Sequence, residues 1–215
     1  MKIIPSINTE TFEIAKERIN ILKNLTKEFH IDISDLNFAN FQTWSNPKEL
    51  DRLDEDLKLQ VHLMMKLKPQ EILKWSNSRI KILILHLEAC ELPFALIKFA
   101  KRLKKEIIIA WSPSIEKEFI DEFVKFVNGI LVLGVHPGKS GQEFLPSTFE
   151  RLEIAVNYKK NLNKLKIFVD GGINKSNITE IIKFKPDYIV LGKAIFDGNP
   201  LDNYLFYSNL IKNYF

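Results

Sequence analysis

The chain has 215 residues, 46% of them hydrophobic, and a formal net charge of +4. Its single cysteine, Cys90, excludes an internal disulfide and a cysteine-based zinc cluster, and no apolar run approaches the roughly 18 residues needed to cross a bilayer. The lysines are scattered instead of gathered into a basic arm, so neither a nucleic-acid nor a membrane partner is expected; the lone cysteine and the short apolar start MKIIPSIN suit a cytoplasmic protein.

In chain order, periodicity predicts a strand over residues 2–6, then a helix over about 9–27 with Phe12, Ala15, Ile19 and Leu22 on one face. A second strand is expected over 29–33, and Asn46 opens a short helix with Pro47 in its first position. Residues 58–64 read as the third strand, followed by a helix over 69–75, and the apolar run 80–86 as the fourth, followed by a helix over 93–103. The fifth strand, 107–111, precedes a helix over 115–126, and the sixth, 129–135, precedes one over 147–160. The seventh, 166–169, precedes a helix over 177–183, and the eighth, 188–191, precedes a last helix over 201–214. Runs apolar on both faces suit a buried parallel sheet. Eight alternating strand–helix units in one domain, 1–215, predict an α/β fold closed as a (β/α)8 TIM barrel.

Three polar clusters close strand-like runs: His30 and Asp32 in HIDISD, His62 in VHLMM, and Asp170 in VDGGI. Catalytic groups of such barrels stand at the C-terminal ends of strands. His30 and Asp32, two residues apart, leave the same face of one strand. Alone, each would more often cap a strand end or bond to the backbone. Two imidazoles and two carboxylates from three strands together fit one divalent metal ion, with zinc, iron(II), manganese and cobalt all compatible with the donor set. Of the other two histidines, His86 reads either as a support for the ligands or as a satisfied core residue, and His136 as solvent-facing or as a substrate contact.

Glycine clusters follow the sixth, seventh and eighth strands: Gly138-Lys139-Ser140-Gly141, Gly171-Gly172, and Gly192-Lys193. Glycine lets backbone N–H groups approach an anion, and barrels often hold phosphate in the loops after strands seven and eight. A small phosphate-bearing molecule is the expected partner.

The motifs PSI at 5–7, HID at 30–32, VHLM at 61–64, LHLEA at 85–89, VHPGKSGQEF at 135–144, VDGGI at 169–173 and LGKAIF at 191–196 together resemble ribulose-phosphate 3-epimerases. The resemblance implies a (β/α)8 barrel, a homo-oligomer, and interconversion of D-ribulose 5-phosphate and D-xylulose 5-phosphate at a bound divalent metal. It implies His30, Asp32, His62 and Asp170 as ligands, Asp32 and Asp170 also as proton acceptor and donor, and Ser6 and His62 as substrate contacts. The partner it implies is a small sugar phosphate, with Gly138, Lys139, Ser140, Gly141, Gly171, Gly172, Gly192 and Lys193 around the phosphate. The chain departs from the family pattern at Leu36, Ala39 and Leu133 in the expected pocket walls, and at Lys139, Ser140 and Lys193 in the phosphate loops. These departures keep two alternatives in view, an epimerase for a related hexulose 6-phosphate and a non-catalytic sugar-phosphate-binding barrel. The decarboxylase and hexulose-phosphate synthase group carries an Asp-x-Lys pattern, and Ser34 stands where that lysine would be.

Overall fold

The computed structural model describes residues 1–214; Phe215, the last residue of the expected single domain, lies outside the described residues. Eight parallel strands, β1 (Lys2–Ile7), β2 (Glu28–Ser34), β3 (Lys58–Met64), β4 (Ile80–Leu85), β5 (Glu106–Trp111), β6 (Gly129–Leu133), β7 (Lys166–Asp170) and β8 (Tyr188–Leu191), form a closed barrel in chain order. The fold is the (β/α)8 barrel that the alternation predicts. Around it run α1 (Phe12–Leu22), α2 (Pro69–Lys74), α3 (Pro93–Lys101), α4 (Lys117–Phe123), α5 (Thr148–Asn161), α6 (Ile178–Lys183), α7 (Lys193–Phe196) and α8 (Pro200–Lys212). No helix among the described residues is long and apolar enough to cross a membrane.

The two-residue period of each strand sorts side chains into an outer and an inner core. Outward residues such as Phe29, Ile31, Val61 and Ile109 pack against the helices. Inward residues, among them Ile4, Ile84, Ile108, Leu131, Phe168 and Val190, fill the barrel. Their chemistry changes along the axis. At the N-terminal end, Lys2 pairs with Glu28 at 2.5 Å and Lys166 with Glu106 at 2.6 Å. The middle is apolar, and Phe168 stacks on Tyr188 with ring centroids 4.3 Å apart. At the C-terminal end the inward positions turn polar: Ser6 on β1, Asp32 on β2, His62 on β3 and Asp170 on β7. In register, Asp32 lies beside His62, and Ser6 beside His30.

Several boundaries differ from the periodic reading. The first helix covers only Phe12–Leu22; the Thr11 side chain caps its start by accepting from Ile14 N, and a tighter turn, Leu25 N to Leu22 O at 2.8 Å, ends it. The segment opened by Asn46 is a 3-10 helix, Pro47–Arg52, capped by the Asn46 side chain. β4 stops at Leu85, so His86 lies just past it. β6 stops at Leu133, where Gly134 N turns to donate to Asp170 O at 2.6 Å. The short α7, directly after β8, has no separate counterpart among the predicted elements; four residues are too few to show a helical period.

Candidate active site

Because β2 and β3 are paired in parallel, the period of two brings His30, Asp32 and His62 to one wall of the barrel mouth. Ser6 Oγ donates to Asp32 Oδ2 at 2.6 Å, and His62 Nδ1 lies 3.0 Å from Asp32 Oδ1. His30 Nδ1 meets Gln60 Oε1 at 3.4 Å, while Nε2 lies 3.3 Å from Asp32 Oδ1 and 3.9 Å from Asp170 Oδ2. That Nε2 is buried and has no hydrogen-bond partner. One ligand atom from each of His30, Asp32, His62 and Asp170 lies within 4.8 Å of all the others. Four convergent donors with a buried nitrogen left unpartnered among them fit a single divalent ion.

Electrostatics separates the two carboxyl groups. Burial alone would raise Asp32, but the His30 and His62 imidazoles outweigh it and hold this carboxyl well below the usual carboxylate range. Asp170 is pushed up to about 7, by burial first and by the nearby negative charge of Asp32 second. In the metal-free protein one carboxyl is therefore ionised at neutral pH and the other holds its proton readily. His62 is lowered to about 4, chiefly by burial and further by His86 and His30, against the pull of Asp32; its ring is neutral and able to ligate. For His30 burial acts downward, yet Asp32, Asp170 and Gln60 together raise it.

A cavity of about 590 Å³ opens directly above these groups. Ser6, Asp32, His62, Gly138, Lys139, Ser140, Gly141, Asp170, Gly171, Gly172, Gly192 and Lys193 all line it, and His30 lies beneath as a fully buried residue. The glycines are needed where loops cross. Gly172, at φ +69°, passes so close to Phe144 that an added Cβ would lie 2.6 Å from its backbone, and Gly171, at φ +97°, runs equally tightly against Val135. Lys139 and Lys193 are exposed at the rim, with Lys193 running alongside Gly141.

The family model described as the ribulose-phosphate 3 epimerase family matches residues 2–196. The chain belongs to the ribulose-phosphate 3-epimerase family. Among curated relatives, the ribulose-phosphate 3-epimerase of Methanocaldococcus jannaschii is 30% identical over 200 residues, covering 91% of this chain and 84% of that protein. The protein of the same name from Buchnera aphidicola is 28% identical over 191 residues, covering 86% and 83%, and that of Escherichia coli K12 26% over 199 residues, covering 91% and 88%. Among solved structures, 3-hexulose-6-phosphate synthase from Salmonella typhimurium has a TM-score of 0.75 at 13% identity, covering 100% of both chains. Orotidine 5'-phosphate decarboxylase from Pyrococcus horikoshii has a TM-score of 0.70 at 17% identity, covering 98% of this chain and 99% of that one. At such identities these structures share the fold.

Membership of the epimerase family sharpens the remaining positions. Of the three wall departures from the family pattern, Leu133 lines the cavity, Ala39 packs near Gly138, and Leu36, 68% exposed, stands clear of it. His136 lines the cavity at its exposed rim. His86 is fully buried and touches His62, Nε2 to Nε2 at 2.9 Å, so it is a support for the candidate ligands and also a satisfied core residue. Sequence reasoning missed Asn8, whose Nδ2 donates to Gly138 O at 3.1 Å and ties β1 to the loop after β6. It lies two residues beyond Ser6, so the period of two was a usable signal. Asn203 and Tyr207 of α8 also reach the cavity, which no local pattern announces.

Proposed function

We propose that the chain is a metal-dependent epimerase that inverts C3 of a ketose phosphate, converting D-ribulose 5-phosphate to D-xylulose 5-phosphate. The observation that carries this reading is the convergence of His30, Asp32, His62 and Asp170, one ligand atom from each within 4.8 Å of the others, at the floor of a cavity walled by glycine loops. Inversion next to a ketone requires a proton to leave one face of the carbon and another to return on the opposite face, through a planar enediolate. Asp32, ionised and oriented by Ser6 Oγ, takes the C3 proton. Asp170, on the opposite side of the cluster, returns one to the other face. In the reverse direction the two exchange roles.

His30, Asp32, His62 and Asp170 would hold one divalent ion, zinc, iron(II), manganese or cobalt. When bound, such an ion supplies Lewis-acid stabilisation of developing negative charge, worth several kcal/mol. The enediolate must also be kept from water, and the loops carrying Gly138–Gly141 and Gly171–Gly172 provide the walls. Backbone N–H groups there bind the phosphate, with Lys139 and Lys193 adding charge from the rim. Because Lys193 is exposed, Lys193→Ala is expected to raise KM about threefold with kcat unchanged, in steady-state assays. The reading also carries a homo-oligomer, supported by the exposed apolar contact of Phe94 with Phe126; sedimentation velocity checks it.

Incubation of metal-loaded protein with D-ribulose 5-phosphate in deuterated water tests the chemistry. Deuterium should enter C3, and D-xylulose 5-phosphate should accumulate to equilibrium. Exchange only with a hexulose 6-phosphate would move the assignment to that substrate. Binding without exchange of any ketose phosphate would leave a non-catalytic sugar-phosphate-binding barrel.

A further inference from the structure

Behind His62 runs a buried polar chain that the proton transfers do not use. The His62 and His86 rings stack with centroids 5.0 Å apart and planes 18° from parallel, their Nε2 atoms 2.9 Å apart. His86 Nδ1 lies 2.8 Å from Glu88 Oε1 and 3.2 Å from Ser112 Oγ. Ser112 Oγ in turn donates to Glu88 Oε1 at 2.8 Å.

The far end of this chain determines its polarity. Ser112 has one hydroxyl proton and commits it to Glu88, so His86 Nδ1 faces two acceptors, the carboxylate and the serine oxygen. His86 Nδ1 therefore carries a proton, and a neutral His86 presents a lone pair at Nε2. Across the 2.9 Å contact, His62 Nε2 must then donate, which leaves the lone pair of a neutral His62 on Nδ1. That atom faces Asp32 Oδ1 at 3.0 Å, acceptor against acceptor, beside the unpartnered Nε2 of His30. Two acceptors this close, beside a further imidazole nitrogen, make a pocket that a divalent cation would stabilise.

We propose that Glu88, acting through His86, sets the tautomer of His62 so that Nδ1 is presented to a divalent ion, making Glu88 and His86 positioning residues of the metal centre. The inference rests on the metal-site reading given under Proposed function. Outer partners of ligating histidines tune metal affinity in just this way. Ser112 makes the dependence on Glu88 sharp. Without the carboxylate its proton is free to turn to His86 Nδ1, which reverses the whole chain and puts the His62 proton on Nδ1.

Two measurements test the proposal. Nitrogen-15 NMR of zinc-loaded wild-type protein should show His62 as the Nε2–H tautomer; an Nδ1–H tautomer overturns the proposal without recourse to any variant. Competition with a chromophoric chelator should show zinc affinity reduced about 10- to 100-fold in Glu88→Ala. Glu88→Gln, whose carbonyl can still accept from His86, should recover most of it. A folded Glu88→Ala protein with wild-type affinity overturns the proposal. Asp170→Asn separates the two levels of inference: wild type that binds zinc no better than this variant sinks the metal-site reading, whereas tight wild-type binding matched by Glu88→Ala sinks only the role of Glu88.

Discussion

At the scale of residues, the site depends on two chemically identical groups made different by their neighbours. Asp32 sits between imidazoles and a serine hydroxyl, while Asp170 has burial and the Asp32 charge against it. If Asp170 is the proton donor, Asp170→Asn should lower the rate of C3 exchange by about 10²- to 10⁴-fold while leaving the fold intact, measured by deuterium incorporation and circular dichroism. The pH dependence follows from the raised value. Folded Asp170 holds its proton up to about 7, against 3.8 for an ordinary aspartate, so between these values the folded metal-free chain binds more protons than the unfolded one. Its contribution to stability is thus fully present below about 4 and is lost as pH rises toward 7. Urea denaturation of the metal-free protein across that window should show this decline, and Asp170→Asn should remove it. Metal uptake should release a proton below pH about 7, seen as a buffer-dependent heat in calorimetry. The identities of His30, Asp32, His62 and Asp170 were legible because polar residues interrupt apolar runs. Ser112 was not, because it meets His86 only across β4 and β5, and Glu88, two residues after His86 in the quoted LHLEA motif, had no role assigned to it.

At the scale of elements, the strands carry the reactive groups and the loops after β6, β7 and β8 carry the cavity walls. One tight point with a left-handed backbone is Gly172, where backbone meets backbone. Gly172→Ala should cost about 1–3 kcal/mol for its left-handed conformation alone, with a further penalty from the 2.6 Å approach to Phe144. Chemical denaturation checks the cost, and a displaced Phe144 should raise KM as well. Strand positions were readable within a residue or two, since buried parallel strands appear as dense apolar runs. Helix ends were read as closely in α2, α3, α5, α6 and α8, but not in α1 and α4. The first helix stops at Leu22, five residues short of the periodic reading, because its end is set by a turn and not by loss of the apolar pattern.

At the scale of the whole molecule, the barrel interior is graded along its axis: ion pairs at the base, an apolar plug, and the polar cluster at the mouth. The plug is the rigid floor on which Asp32 and Asp170 rest. Phe168, fully buried two residues before Asp170 on the same face of β7, is its largest member. Phe168→Ala should cost about 3–5 kcal/mol in urea denaturation, because the surrounding strands cannot collapse into the space. By contrast, Glu106→Gln at the half-exposed base should cost less than about 1 kcal/mol.

The sequence by itself determined the alternation of strands and helices, the closed barrel, and which polar side chains end the strands. Those are local properties, carried by periods of two and 3.6 residues and by the order of units. Only the tertiary structure decided which distant residues share a charge or a proton. The opposed shifts of Asp32 and Asp170, the unpartnered Nε2 of His30, and the chain from His62 to Glu88 all arise from distances across neighbouring strands. The physical reason is that burial and Coulomb interactions act through space, and barrel closure brings β2 and β7 within reach of each other.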